Sequence, residues 1–292
     1  MFLYRRLASP LHATRATIGA LWALAAIAAA LLTDHPLVLF ALALALVSSS
    51  WAAGVGAQLT RVLRPAIAMA VPIVAINLLV ARQGLTVFAR LGDLGPFGQG
   101  DLTVEALAYG GVIALKVALL PLIAGLAALT VDPDELLGAL RRVSFRSALT
   151  ASLATRMMGV LAADASRLAE AQRTRPPGAP GAGRARVALI GAVVGSSLDR
   201  AMDVACTLEL RGFATPSRAP RRRVPFSRHD LAFAASGVAL LATVLLARAT
   251  GAVSFTAYPL LHCAIGCSTL ATCAALLLVV LLPFCDRRGI DP

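Results

Sequence analysis

Apolar residues gather in six separated blocks, at about residues 17–33, 37–53, 65–81, 107–130, 231–247 and 258–284. Each is close to the roughly 20 residues a helix needs to cross a hydrocarbon core. The turn Thr33-Asp34-His35-Pro36 separates the first two blocks. A loop at 54–64 precedes the third, and a polar loop at 82–106, punctuated by Gly92, Gly95, Gly98 and Gly100, follows it. Pro72 and Asn77 lie inside the third block, and Lys116 and Pro121 inside the fourth. Such breaks are tolerated where neighbouring helices satisfy the freed backbone. The pattern predicts an all-α, polytopic membrane protein of about six transmembrane helices. The first block follows Arg5, Arg6 and Arg15 and contains Ala28-Ala29-Ala30, which resembles a signal peptide. Because further spans follow at once, an uncleaved first helix is expected.

Between the fourth and fifth blocks the periodicity changes. Asp132-Pro133-Asp134-Glu135 has the acids and the proline of a helix start, and predicts a short helix ending near Val143. A longer helix is predicted from Ser147 to Arg175, with Leu149, Leu153, Met157, Val160, Leu161 and Leu168 as its apolar positions, stopped by Pro176-Pro177-Gly178. After a linker over Ala179–Gly183, a second long helix is predicted from Arg184. Val187, Ile190, Val194, Leu198, Ala201, Ala205 and Leu208 form its stripe, Asp199, Arg200 and Asp203 its polar face, and Gly212 its C-cap. The expected organisation is a membrane domain over 1–130, coupling helices over 131–230, and two further spans over 231–292.

Composition agrees with a membrane protein, at 58% hydrophobic and 14% charged residues against about a quarter charged in soluble domains. The net charge of +12 comes from 27 basic residues, 26 of them arginine and one Lys116. Arginines flanking apolar spans follow the positive-inside rule, so no nucleic-acid partner is expected. Residues 131–230 carry 16 arginines against nine acids, and the 54–64 loop adds Arg61 and Arg64. The alternate loops carry only Arg82, Arg90 and Arg248 beside Asp34, Asp93, Asp101 and Glu105. With six spans, this places 131–230 and both termini in the cytoplasm, in a multi-pass plasma-membrane protein surrounded by the lipid bilayer.

Little in the sequence suggests chemistry. Cys206, Cys263, Cys267, Cys273 and Cys285 read as small packing residues, and His12, His35, His229 and His262 as interfacial polar groups without metal-ligand spacing. No Gly-x-x-x-x-Gly-Lys-Ser/Thr loop is present, so ATP hydrolysis is not expected of this chain. Neither a cofactor nor an enzymatic activity is predicted. Each long helix does finish on an arginine just before its stop: Gln172-Arg173-Thr174-Arg175 before Pro176, and Glu209-Leu210-Arg211 before Gly212. The helix macrodipole accounts for a cation there. The other reading, less favoured by spacing alone, is that a guanidinium on a rigid tip engages a partner's groove.

Several stretches resemble one family, the transmembrane T component of energy-coupling factor (ECF) transporters, importers of the ABC class. Ser9-Pro10-Leu11-His12 looks like its N-terminal opening. Ile76-Asn77-Leu78-Leu79 and Gly84-Leu85-Thr86-Val87 resemble the region after its third span, and Asp132-Pro133-Asp134-Glu135-Leu136-Leu137 the start of its coupling segment. Ala171-Gln172-Arg173-Thr174-Arg175 looks like its first Ala-Arg-small motif. Leu198-Asp199-Arg200-Ala201-Met202-Asp203 with Leu208-Glu209-Leu210-Arg211-Gly212-Phe213 looks like its second. Here Thr174 and Pro176 flank the first arginine where the family usually has Ala and Gly or Ser, Leu210 replaces an Ala, and Lys116 stands where an arginine is common.

The resemblance implies that Arg175 and Arg211, with Arg173, Thr174, Glu209 and Gly212 around them, dock on two cytoplasmic ABC ATPase subunits, one arginine per subunit. A separate substrate-binding membrane protein, the S component, would meet the helices' apolar stripes and release a vitamin or metal ion inside. Two other readings are a membrane-anchored scaffold or signalling protein presenting a basic hairpin, and a lipid enzyme drawing on Asp34, His35 and Asp101.

Overall fold

The computed structural model describes residues 7–80, 84–93, 99–140, 145–174, 182–212, 225–286 and 288. The chain is an all-α polytopic membrane protein. A short helix α1 (Pro10–Ala13) precedes α2 (Ala16–Leu32), α3 (Pro36–Ala52), α4 (Gly56–Val80) and α5 (Val104–Thr130). Then follow α6 (Pro133–Leu140), α7 (Phe145–Arg173), α8 (Ala182–Leu210), α9 (Arg228–Ala249) and α10 (Cys267–Leu281). Four of these segments, Gly56–Val80, Val104–Thr130, Arg228–Ala249 and Cys267–Phe284, are long and apolar enough to cross a membrane. The apolar helices α2 and α3 have 17 residues each, about 25 Å, at the lower end of spanning length. The chain folds as two units, a membrane unit of Met1–Leu136 with Phe226–Pro292, and a second unit of Leu137–Pro225.

Three expectations about the spans need correction. The 54–64 segment is not a loop, because α4 begins at Gly56 and carries Arg61 and Arg64 on its first turns. Nothing from Gln58 to Arg64 breaks a helix, and arginine stems can lie along apolar surface with their heads in water. The 82–106 segment contains an antiparallel hairpin, β1 (Val87–Asp93) with β2 (Gln99–Thr103), pairing Val87 with Thr103 and Arg90 with Asp101. The last block becomes helical only at Cys267. Pro259 and the N-cap Gly266 interrupt it, and a small hairpin, β3 (Phe255–Thr256) with β4 (His262–Cys263), precedes the span. The linker is also shorter than expected, since Ala182 and Gly183 already belong to α8. Val143, Arg82, Gly95 and Gly98 lie outside the described residues.

In the membrane unit, α2 packs on α9, α3 on α10, and α4 along α5. Ala26, Ala29, Ala30 and Ala45 are wholly buried, so small side chains bring the backbones together. At Gly110 an added Cβ would lie 3.0 Å from Asn77 Cβ, and at Gly125 one would lie 3.2 Å from the Leu59 and Val62 side chains. Asn77 bonds within its own helix, its Nδ2 donating to Ile73 O at 3.0 Å. Trp22 joins three helices. Its Nε1 donates to Ser236 Oγ at 3.2 Å, and that hydroxyl donates to Val279 O at 2.8 Å. Trp22, Phe233 and Phe284 stack edge to face in sequence.

The ends of α2 show how a span without its own caps is finished. Lipid offers no partner for terminal N–H and C=O groups, so other elements supply them. At the start, Asp230 Oδ1 accepts from the Arg15 N–H at 2.8 Å and Glu135 Oε2 from the Ala16 N–H at 3.2 Å. At the finish, Lys116 Nζ donates to Leu31 O at 3.4 Å and pairs with Asp34 at 2.6 Å. Arg248 donates to Leu32 O at 2.6 Å. Both cations also suit the negative end of the helix dipole.

The cysteines differ from expectation, whereas His12, His35 and His229 are buried beside the starts of α2, α3 and α9. His35 Nε2 lies 3.1 Å from Ala264 O and 3.3 Å from Cys263 Sγ, fastening the β3–β4 segment to the α2–α3 turn. Burial pushes the Cys263 thiol above its ordinary range. Cys206, Cys267 and Cys285 are exposed, and only Cys273 packs against the core as a small apolar residue would.

Candidate functional site

The second unit is built on α7 and α8, two helices of 29 residues each. The start of α6, in the membrane unit, is capped by Asp132, whose Oδ1 accepts from the Asp134 N–H at 2.9 Å. Unlike α4 and α5, which lie along each other, α7 and α8 meet over a short stretch. On α7 the covered positions include Leu149, Leu153, Met157, Leu161 and Leu168, the stripe expected from spacing, whereas Val160 is exposed.

On α8 the expected face is turned outward. Val187, Ile190, Val194, Leu198, Ala201 and Ala205 are exposed, and of the expected stripe only Leu208 is partly covered. The partly covered row is instead Leu189, Val193, Ser197, Arg200, Val204 and Leu208. Arg200 therefore leaves the polar face assigned to it and reaches α7, where its Nη1 stands 3.0 Å from Asp164 Oδ2. The consequence is a row of large apolar side chains, Val187 through Met202, left open on one side of α8.

The last described turns of both helices are closed by local hydrogen bonds. At the end of α7 the Thr174 N–H donates to Glu170 O at 3.3 Å and the Thr174 hydroxyl to Ala171 O at 3.0 Å. The threonine thus closes the last turn while remaining exposed. Arg173 is the last residue of α7. Arg175 lies outside the described residues, as do Pro176, Pro177 and Gly178.

The end of α8 is described in full up to Gly212. The Arg211 N–H donates to Thr207 O at 3.2 Å and the Gly212 N–H to Glu209 O at 2.9 Å. Gly212 has φ +73°, which gives one half of a Schellman closure and places a residue without Cβ where the left-handed backbone requires it. Arg211, one residue earlier, is exposed next to exposed Leu210, with exposed Glu209 on the same last turn. The residue thus stands exposed on a closed helix end. That arrangement suits a carboxylate or carbonyl cluster on another molecule.

Asp34 and His35, the residues a lipid enzyme would need, are engaged elsewhere: Asp34 by Lys116, and His35 by the Ala264 carbonyl. Asp101 sits in β2 opposite Arg90.

A family model described as CbiQ, cobalt transport protein, matches residues 8–221 of this chain. The matched stretch runs from α1 through both helix ends just described and stops short of α9. No curated protein matches the sequence.

Proposed function

The chain belongs to the CbiQ family of cobalt transport proteins, membrane components of transporters, and on that premise we propose that it is the transmembrane coupling subunit of an ECF-type ABC importer. In this reading it links two cytoplasmic ABC ATPases to a substrate-binding membrane subunit, and the cargo is a metal ion or a vitamin. Residues 131–230 and both termini face the cytoplasm, a reading supported by the 16 arginines against nine acids in that segment. The ATPases hydrolyse the nucleotide; this chain carries no phosphate-binding loop of its own.

The observation that carries the reading is Arg211, exposed on a helix end closed by Gly212. A rigid 29-residue helix transmits a displacement of its tip along its length, about 43 Å, without absorbing it in loop motion. Arg175 is assigned the equivalent role on the α7 side, with Arg173 and Thr174 beside it. The open apolar row on α8 suits the substrate-binding subunit, since apolar side chains make non-directional contacts that survive sliding.

Exchanging Arg211 for glutamate tests the reading. Arg211→Glu is expected to abolish co-purification of an ATPase pair while the chain still inserts in the membrane at normal levels. Undiminished ATPase binding and transport would overturn it.

A further inference from the structure

The meeting point of α7 and α8 holds an ion pair with a defined place in both helices. Arg200 Nη1 and Asp164 Oδ2 are 3.0 Å apart, with side chains 37% and 20% exposed. Arg167, at 81% exposure, reaches the other carboxylate oxygen only at 4.0 Å. Asp164 therefore has one close, partly shielded partner across the helix pair and one distant, solvated partner on its own helix. Only the first constrains how the two helices lie.

The position of the pair matters as much as its chemistry. Asp164 comes nine residues before Arg173, the last of α7, and Arg200 comes ten before Leu210, the last of α8. At ~1.5 Å per residue, the arms from the pair to the two helix ends are about 14 and 15 Å. The arms back to Phe145 and Ala182 are about 28 and 27 Å by the same rise. Two helices of equal length are thus tied at matching points, nearly equidistant from the ends that carry the arginines. The partly covered residues along the same row of α8, Leu189, Val193, Val204 and Leu208, are apolar, and apolar contact is non-directional, so it would leave rotation about the pair unconstrained. A guanidinium–carboxylate hydrogen bond is directional, and so fixes the angle and the register.

We propose that Asp164 and Arg200 are positioning residues, a pin that sets the separation of the two helix tips and so lets both engage the ATPase pair together. The role rests on the coupling function proposed above. Two tips held at the correct spacing bind as a bivalent ligand, with the second engagement intramolecular. With the pin removed, each tip binds independently and the avidity falls.

The test uses the full chain in lipid nanodiscs, with the native cysteines replaced and nitroxide labels at Ala171 and Thr207, both exposed near the two ends. The distance distribution between labels is measured by electron–electron double resonance without ATPases, and ATPase affinity is measured separately. Arg200→Gln is expected to broaden the distribution at least twofold and weaken ATPase binding about tenfold. The exchanged pair Asp164→Arg/Arg200→Asp is expected to restore both. Arg200→Lys keeps the charge without the planar fork, gives an intermediate width, and serves where the glutamine variant accumulates poorly. An unchanged width in both single variants, or an exchanged pair that restores neither readout, overturns the pin. A broadened distribution with undiminished ATPase affinity overturns its positioning role. Failure of the coupling function itself is seen separately, as normal ATPase binding by Arg211→Glu.

Discussion

Asp230 on α9 closes the start of α2 through Arg15, 215 residues earlier in the chain. Its Oδ1 accepts from the Arg15 backbone N–H at 2.8 Å, and its Oδ2 stands 3.3 Å from Arg15 Nε. The same carboxylate accepts from the Ser227 N–H at 2.9 Å, while Ser227 Oγ accepts from the Asp230 N–H at 3.1 Å, a complete capping box on its own helix. One side chain, 2% exposed, thus terminates two spans and pairs with the arginine between them. That arginine also lies over the Phe226 ring at 4.3 Å. Two helix ends that lipid cannot satisfy share one carboxylate, with Glu135 and Ser227 completing them.

Removing that carboxylate should be costly. Asp230→Ala takes this partner from a partly buried Arg15 and leaves two helix starts without its cap, a loss of about 2–4 kcal/mol. Thermal unfolding of the detergent-solubilised protein is expected to shift down by about 5–10 °C. Asp230→Asn keeps a cap acceptor for α9 and should lose less than half as much. Equal shifts for the two variants would mean that the charge, not the caps, carries the effect.

Neighbouring glycines on α5 give a sharper contrast. A Cβ on Gly110 would meet Asn77 Cβ at 3.0 Å and Val74 Cα at 3.4 Å, whereas one on Gly111 meets nothing within 4 Å. Gly110→Val should therefore force α4 and α5 apart and cost about 1–3 kcal/mol. Gly111→Ala should be neutral or stabilise by up to about 1 kcal/mol through helix propensity alone. The two variants, compared in one unfolding assay, check the close approach of these spans. Similar behaviour of the two would show that α4 and α5 do not meet at Gly110.

Features that depend on neighbours along the chain are legible in the sequence, and those that depend on distant partners are not. Hydropathy locates the spans because each apolar block must bury itself whatever it packs on. Pro259 and Gly266 are visible signs that the last block starts late, but its continuous apolarity masks them. The Asp230–Arg15 closure has no local signature, since capping motifs are read within four residues. The face of α8 escapes periodicity for a related reason. Its residues 187–208 hold one wholly apolar row and, beside it, a row interrupted by Ser197 and Arg200, and it is the second that carries the bond to Asp164, 36 residues before Arg200. The helix end at Gly212 is legible because a positive φ leaves few residue types to choose from.

That helix end also bears on the coupling function. Gly212 is at φ +73°, and its N–H closes the last turn of α8 on Glu209 O. A β-branched side chain in the left-handed region is strongly disfavoured, an alanine costs about 1 kcal/mol, and an asparagine less. The strain would be relieved by opening the turn that orients Arg211, so its effect belongs in docking more than in global stability. The expected order of ATPase affinity is Gly212, then Gly212→Asn, Gly212→Ala and Gly212→Val, with the valine variant at least about tenfold weaker and unfolding temperatures within about 3 °C of one another. Affinity that is indifferent to the residue at 212, in variants that bind through Arg211, would show that the geometry of the tip is not what the ATPases read.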